Sequence, residues 1–336
     1  MALGKTSNAV LISSPDAANA VRRPDFFIVG AAKAGTTSLY NYLKLHPEVY
    51  FSPIKEPHYF STDIKLEEMR SDFKKKVFID IGEYINNNLG SPRHGAFVRD
   101  ETHYQQLFSL VKNEKRIGES SVSYLYSQVA ATKIKAFNPE AKIVIILRNP
   151  VERAFSHYLM DLRIGYETRN FIEAVNADIQ KDKKGWGQSH LYVELGLYYE
   201  QVKRYLEVYS PGNIKIILHD DFKKFPKKVL SDVYSFLGVS DKSEEIDFSV
   251  RHNKAELPKS RILQKFEKTP LMQKVLADFI PGALRRKLKS GFYSTENLPG
   301  LTIEDRKSLH HYFSEDIKKL SELVGRDLSA WLAVDS

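Results

Sequence analysis

Two stretches of this chain carry residue types that bind anions. The first is Gly30-Ala31-Ala32-Lys33-Ala34-Gly35-Thr36-Thr37-Ser38. Its small residues let backbone N–H groups converge, including those of Ala34 and Gly35. A helix starting at its end would add open donors and a partial positive charge. Lys33 supplies a full charge, and Thr36, Thr37 and Ser38 supply hydroxyls. The loop departs from the nucleoside-triphosphate pattern, which ends in Gly-Lys-Ser/Thr. Thr36 stands in the lysine position, and the lysine lies inside the loop as Lys33. The best apolar run leads into Arg148 rather than a metal-binding Asp, so no metal is expected. A cradle of this kind suits a donor whose transferred group carries little charge.

The second stretch is Arg148-Asn149-Pro150-Val151-Glu152-Arg153-Ala154-Phe155-Ser156. Arg148 offers a planar fork that fits a phosphate, and Ser156, two turns into a helix, offers one donor. The bland alternative is an Arg148–Glu152 ion pair. Taken with the Lys33 loop, the stretch implies a ligand with two separate anionic groups. A third segment, Lys55-Glu56-Pro57-His58-Tyr59-Phe60, sets a carboxylate, Glu56, and an imidazole, His58, two residues apart, either of which could take a proton. A surface Lys55–Glu56 ion pair and a structural histidine are the competing readings.

The elements that must position these residues are legible. Phe26–Val29 reads as a buried strand closed by Gly30, and Thr37–Leu45 as the following helix, stopped by His46-Pro47. Lys142–Leu147 is the clearest parallel-type strand, broken by Asn149-Pro150 before a helix over Val151–Leu162. Arg116–Glu119 and Ile214–Leu218 read as strands, Leu195–Tyr209 and Lys227–Leu237 as helices, and Ile303–Trp331 as one or two packing helices. This alternation predicts an α/β fold: a single P-loop-like domain, 24–336, with a central parallel sheet flanked by helices, after a mobile tail at 1–23. The aromatics of Tyr192–Tyr199 read as core. Arg148 lies at the carboxyl end of its strand, where open α/β sheets hold ligands.

From Arg251 to Lys289, eleven basic residues face three acids, a solvated helical face or a lid over an anion. Lys plus Arg (50) exceeds Asp plus Glu (42), giving +8 and favouring anionic ligands without choosing among them. Cysteine is absent, which removes disulfides, thiol catalysis and thiolate metal sites. The apolar stretch Ala9–Ile12 is too short for a signal segment, and no later window approaches membrane-spanning length. A cytoplasmic protein without stable membrane insertion is expected. Oligomeric state is not legible.

The two anion motifs together, from Phe26 to Leu39 and from Leu147 to Tyr158, resemble the sulfotransferase family. The order of elements from Pro24 to about Gly238 resembles its carbohydrate, heparan-sulfate-type branch and the bacterial relatives. Asp327-Leu328-Ser329-Ala330-Trp331 also resembles the bacterial members. The resemblance implies the donor 3′-phosphoadenosine 5′-phosphosulfate (PAPS) and an acceptor hydroxyl, a glycan favoured, with no nucleic-acid partner. It places the loop residues Lys33, Ala34, Gly35, Thr36, Thr37 and Ser38 on the 5′-phosphosulfate, and Arg148 and Ser156 on the 3′-phosphate. Arg251 and Asn253 fall where the family closes over the nucleotide, without its Lys-Gly signature. Glu56 matches the family's base, with Tyr59 replacing one Phe. Glu119-Ser120-Ser121-Val122-Ser123-Tyr124 aligns with the acceptor cleft, with Ser120 where Lys often stands. The implied reaction is an in-line displacement: Glu56 takes the acceptor proton, Lys33 stabilises the leaving oxygen, and Arg148 and Ser156 hold the nucleotide. The rivals are a P-loop-type nucleotide kinase, separable by ATP-magnesium binding, and a basic nucleic-acid-binding module.

Overall fold

A computed structural model describes residues 22–249, 256–258, 293–294 and 298–334. Arg251, Asn253, most of the basic segment 251–289 and nearly all of the expected tail lie outside the described residues.

The N-terminal half begins with β1 (Phe26–Gly30), α1 (Thr36–Lys44), β2 (Val49–Phe51), β3 (Ile54–Lys55), α2 (Ser71–Val77), α3 (Ile81–Asn88) and β4 (Arg93–His94). It continues with α4 (Glu101–Gln106), β5 (Arg116–Ser120), α5 (Ser123–Tyr126), α6 (Ala130–Phe137) and β6 (Lys142–Leu147). The second half holds α7 (Pro150–Ile164), α8 (Phe171–Ile179), α9 (Tyr198–Val208), β7 (Ile214–Leu218), α10 (His219–Lys224), α11 (Pro226–Leu237) and α12 (Ile303–Val324). Every strand and helix expected from the sequence forms within a few residues. The helix expected over Leu195–Tyr209 divides into a 3-10 turn at Glu194–Gly196 and α9.

Five parallel strands form the central sheet in the order β2-β5-β1-β6-β7. Strand β1 is closed in on both sides: Phe26, Phe27, Ile28 and Val29 are wholly buried. Each such side chain contributes about 1.5–3 kcal/mol relative to exposure, which is why apolar runs rather than alternating patterns mark these strands. Gly118 on β5 makes room for this packing. A Cβ there would lie 2.3 Å from Phe26 Cζ and 2.6 Å from Phe51 Cε1. The two rings meet edge to face at 5.2 Å over that gap.

The sheet has a switch point between β1 and β6. From β1 the chain crosses through α1 to β2 on one side; from β6 it crosses to β7 on the other. The loops leaving β1 and β6 therefore diverge and leave a crevice at their carboxyl ends, where open α/β sheets hold ligands. A smaller parallel pair, β3 with β4, flanks this end and sets Lys55 opposite His94. No sequence signal marked that two-residue pairing.

Candidate active site

Both anion motifs open onto the switch-point crevice. Helix α1 starts at Gly35, which lies in the left-handed region (φ 103°) and leaves the helix N-terminus without a side-chain cap. A side chain at Gly35 would press on the His219 ring at 3.2 Å, so the turn requires glycine for shape and for space. The second motif becomes a capped helix start. Asn149 Oδ1 accepts the Val151 and Glu152 N–H groups at 3.0 and 3.3 Å, and Pro150 occupies the first helical position of α7. The Asn-Pro pair that reads as a strand breaker is thus also what aims α7.

The two motifs touch. Arg148 Nη1 donates to the Lys33 carbonyl at 3.4 Å. Arg148 also pairs with Glu152 one turn along α7, Nη2 to Oε2 3.2 Å, so the bland pairing is present and orients the guanidinium at the crevice. Ser156 follows Glu152 by one further turn on the same face of α7 and is half-buried. Thr36 is buried, and Thr37 and Ser38 are half-buried at the first turn of α1.

Lys33 sits in a mixed field. Burial lowers its pKa to about 8; Asp161 opposes that change, while Arg148 and Arg153 add to it. The ammonium is therefore still mostly protonated near neutral pH and poorly hydrated, which strengthens its pull on an anion nearby.

Glu56 and His58 meet at the same end of the sheet. Glu56 is fixed by its backbone, its N–H donating to Ser120 O at 2.9 Å and its carbonyl accepting from Ala96 N at 3.1 Å. Its side chain is not on the surface: Glu56 is 9% exposed and Lys55 6%. Glu56 Oε1 lies 2.9 Å from Lys55 Nζ and 3.5 Å from His94 Nε2, and Glu56 Oε2 lies 3.7 Å from His58 Nε2. The expected surface ion pair is a buried one. Burial pushes the Glu56 carboxyl up, but Lys55, His94 and His58 outweigh it and hold the group well below the usual carboxylate range. His58 is stacked on Phe97 at 4.4 Å and its Nδ1 lies 2.7 Å from Ser123 Oγ. Burial lowers its pKa to about 4, so it is neutral at pH 7 beside the Glu56 carboxylate. Lys33, Glu56 and His58 all have positive φ (67°, 66° and 52°), and Leu191 is the one other non-glycine residue that does so among the described residues. Strain of this kind persists where surrounding structure holds it and clusters at functional sites.

Three groups of functional interest gain their partners only in the structure; the sequence named Glu119 within the acceptor-cleft segment and Lys55 as half of a surface ion pair. Glu119, wholly buried, accepts from Tyr104 Oη, Tyr124 Oη and Ser121 Oγ at 2.8, 2.7 and 2.7 Å. Tyr124 Oη in turn accepts from Phe60 N and Ser121 Oγ from His58 N, so this hub supports the segment bearing Glu56. Lys55 is the second group. The third lies on α7, where Arg153, His157 and Asp161 recur every four residues. Asp161 Oδ2 accepts from Tyr192 Oη at 2.8 Å and lies 2.8 Å from His190 Nδ1 and 3.7 Å from His157 Nε2. The i, i+4 spacing on α7 was the available signal; the partners across Asp178, His190 and Tyr192 were not. Of the aromatics expected in the core, Tyr192 and Tyr198 are fully buried and Tyr199 is half-buried.

The geometry can be set beside known proteins. A sulfotransferase domain model matches residues 23–321. Carbohydrate sulfotransferase 15 of Rattus norvegicus is 27% identical over 296 residues, covering 76% of this chain and 51% of that protein. The human bifunctional heparan sulfate N-deacetylase/N-sulfotransferase 2 is 25% identical over 224 residues, 65% of this chain and 22% of that protein. The chain thus spans about half the length of the first relative and a smaller part of the second. A sulfotransferase crystal structure from Alicyclobacillus acidocaldarius superposes with TM-score 0.63 at 33% identity, over 93% of this chain and all of that one. A crevice at the switch point of a five-stranded parallel sheet, two touching anion motifs and a match across most of the sequence agree, and the chain belongs to the sulfotransferase family.

Proposed function

We propose that this protein transfers the sulfuryl group of PAPS to an acceptor hydroxyl, on a carbohydrate, by a single in-line displacement. The observation that carries the reading is the contact between Arg148 and the Lys33 carbonyl, which brings both anion motifs to one crevice. A donor with a 5′-phosphosulfate and a 3′-phosphate has its two charged ends matched by these motifs. Lys33, Thr36, Thr37, Ser38 and the loop N–H groups would hold the first; Arg148 and Ser156 would hold the second. Residue types fit: a planar fork for a phosphate, and a lysine with hydroxyls for a bridging oxygen.

In this reading the acceptor oxygen forms a bond to sulfur as the bond from sulfur to the bridging phosphate oxygen breaks. The acceptor proton passes to the Glu56 carboxylate and then to water, and Lys33 neutralises the leaving phosphate. Arg148 and Ser156 contribute alignment, converting an encounter into a near-attack arrangement. His58 keeps Glu56 oriented. The carbohydrate acceptor is supported by the relatives' names.

Mass spectrometry of a panel of glycans, simple alcohols and amines after incubation with labelled PAPS tests the proposal. A gain of one sulfuryl group on a sugar hydroxyl supports it. Transfer only to an amine or a small alcohol refutes the acceptor class, and binding of ATP with magnesium in preference to PAPS refutes the donor.

A further inference from the structure

Lys55 is a buried cation at the seam between the phosphate loop and the base, and the displacement above gives it no task. It lies at the end of β3, where its carbonyl accepts from Gly95 N at 2.7 Å, so its backbone is fixed. Its Nζ reaches three groups: Glu56 Oε1 at 2.9 Å, Thr37 Oγ1 at 3.3 Å and His94 Nε2 at 3.4 Å. The Tyr40 ring lies 5.7 Å away on the apolar side. An ammonium has three protons to donate, and Glu56 and Thr37 accept two of them. Thr37 is the informative one. Its hydroxyl accepts from Lys55, so its own proton is free to point elsewhere, and Thr37 stands in the first turn of α1 at the mouth of the loop. A hydroxyl that accepts from an ammonium is also a stronger donor.

One charge therefore serves two clients. It holds Glu56 as a carboxylate, and through Thr37 it strengthens the loop as an anion site. We propose that Lys55 couples the two halves of the site as a positioning residue: a phosphosulfate in the loop and the Glu56 carboxylate compete for its ammonium. An anion that draws Lys55 toward Thr37 loosens the Lys55–Glu56 pair and makes Glu56 more basic as the donor arrives. The same linkage read backwards says that neutralising Glu56 strengthens anion binding, because coupling between two sites is reciprocal. This inference rests on reading the loop as the donor's phosphosulfate cradle.

The test is a double-mutant cycle on the affinity for the desulfated donor, 3′-phosphoadenosine 5′-phosphate, measured by calorimetry, so its readout does not depend on turnover. With Lys55 present, Glu56→Gln is expected to tighten binding about fivefold or more, at the lower end of measured couplings. With Lys55→Met the same change should alter binding less than about twofold, since only through-space repulsion is then relieved. Lys55→Arg should restore the difference, because it keeps the charge. Where Lys55→Met alone leaves Glu56 buried without a partner and does not fold, Thr37→Val closes an equivalent cycle, and the coupling should vanish there too.

The acid limb of turnover gives a second readout. Lys55→Met raises the pH at which activity is lost on acidification, by at least one pH unit, because the cation holding Glu56 ionised is gone. A merely structural lysine would lower activity without moving that limb. Equal effects of Glu56→Gln in every background, with an unmoved limb, overturn the coupling and leave the donor reading intact. No affinity of the unmodified protein for the desulfated nucleotide overturns both.

Discussion

Replacing Glu119 by Gln keeps the size of the side chain, removes its titration and turns one accepting oxygen into an NH2 donor, a change the same at every pH, so the pH dependence can be worked out from the structure. Glu119 is wholly buried and accepts from three hydroxyls. Burial raises its pKa from 4.5 to about 7, against the opposing hydrogen bonds of Ser121, Tyr124 and Tyr104. An acid whose folded pKa is raised holds its proton more tightly when folded. Its contribution to stability is full below pH 4.5 and is lost as pH rises through about 7. Between pH 5 and pH 8 the loss is about 2.5 kcal/mol, a large part of the stability of an ordinary domain. Gln cannot titrate, so the variant should escape that loss. Urea unfolding followed by the fluorescence of Trp186 and Trp331 measures it. The stability of Glu119→Gln relative to the unmodified protein should rise by about 2.5 kcal/mol from pH 5 to pH 8. A difference that stays flat across this range would show that the three hydroxyl donors keep Glu119 ionised throughout, and the raised pKa would be wrong. The cost of Glu119 at neutral pH is the cost of supporting the segment that bears Glu56 from beneath with a polar hub rather than with apolar packing.

Lys33→Ala is expected to lower kcat by about 10²–10³-fold, the cost of removing one preorganised donor to developing charge; steady-state kinetics on a competent acceptor checks it, and near-normal turnover refutes the role. Because the Lys33 pKa lies at about 8, activity should fall on the alkaline side near that pH, and Asp161→Asn should move that limb to lower pH by removing the carboxylate that favours the ammonium. An alkaline limb unmoved by Asp161→Asn would place Asp161 outside the field of Lys33. Gly118→Ala should destabilise the fold by about 1–3 kcal/mol in thermal melts, since its Cβ meets Phe26 and Phe51 well inside contact distance. A melt unchanged by that substitution would show the ring pair can shift at little cost.

Much of the site was legible because its residues are consecutive. Lys33 and Gly35 share one loop between an apolar strand and the helix whose first turn carries Thr36 and Thr37, and Arg148 follows the most apolar run of the chain. Local periodicity fixes a strand and a helix, and a strand–loop–helix unit fixes where its loop must lie relative to the sheet. The helix starting at Asn149-Pro150 was written in the same local terms, a cap and a proline.

What the chain did not reveal locally is which charges face one another. Lys55 and Glu56 are neighbours in any conformation. Only folding buries them, sets Thr37 from 18 residues earlier against Lys55, and turns a weak surface pair into a charge that two functions share. The same holds for Glu119, whose partner Tyr104 comes from α4, and for Asp161, whose partners come from the segment after α8. Hydrophobic patterning is a one-dimensional signal, because burial follows from period. The strength of a charge is set by its distance from others and from water, and those distances exist only once β3, β5, α1 and α7 have converged on the crevice at the end of the sheet.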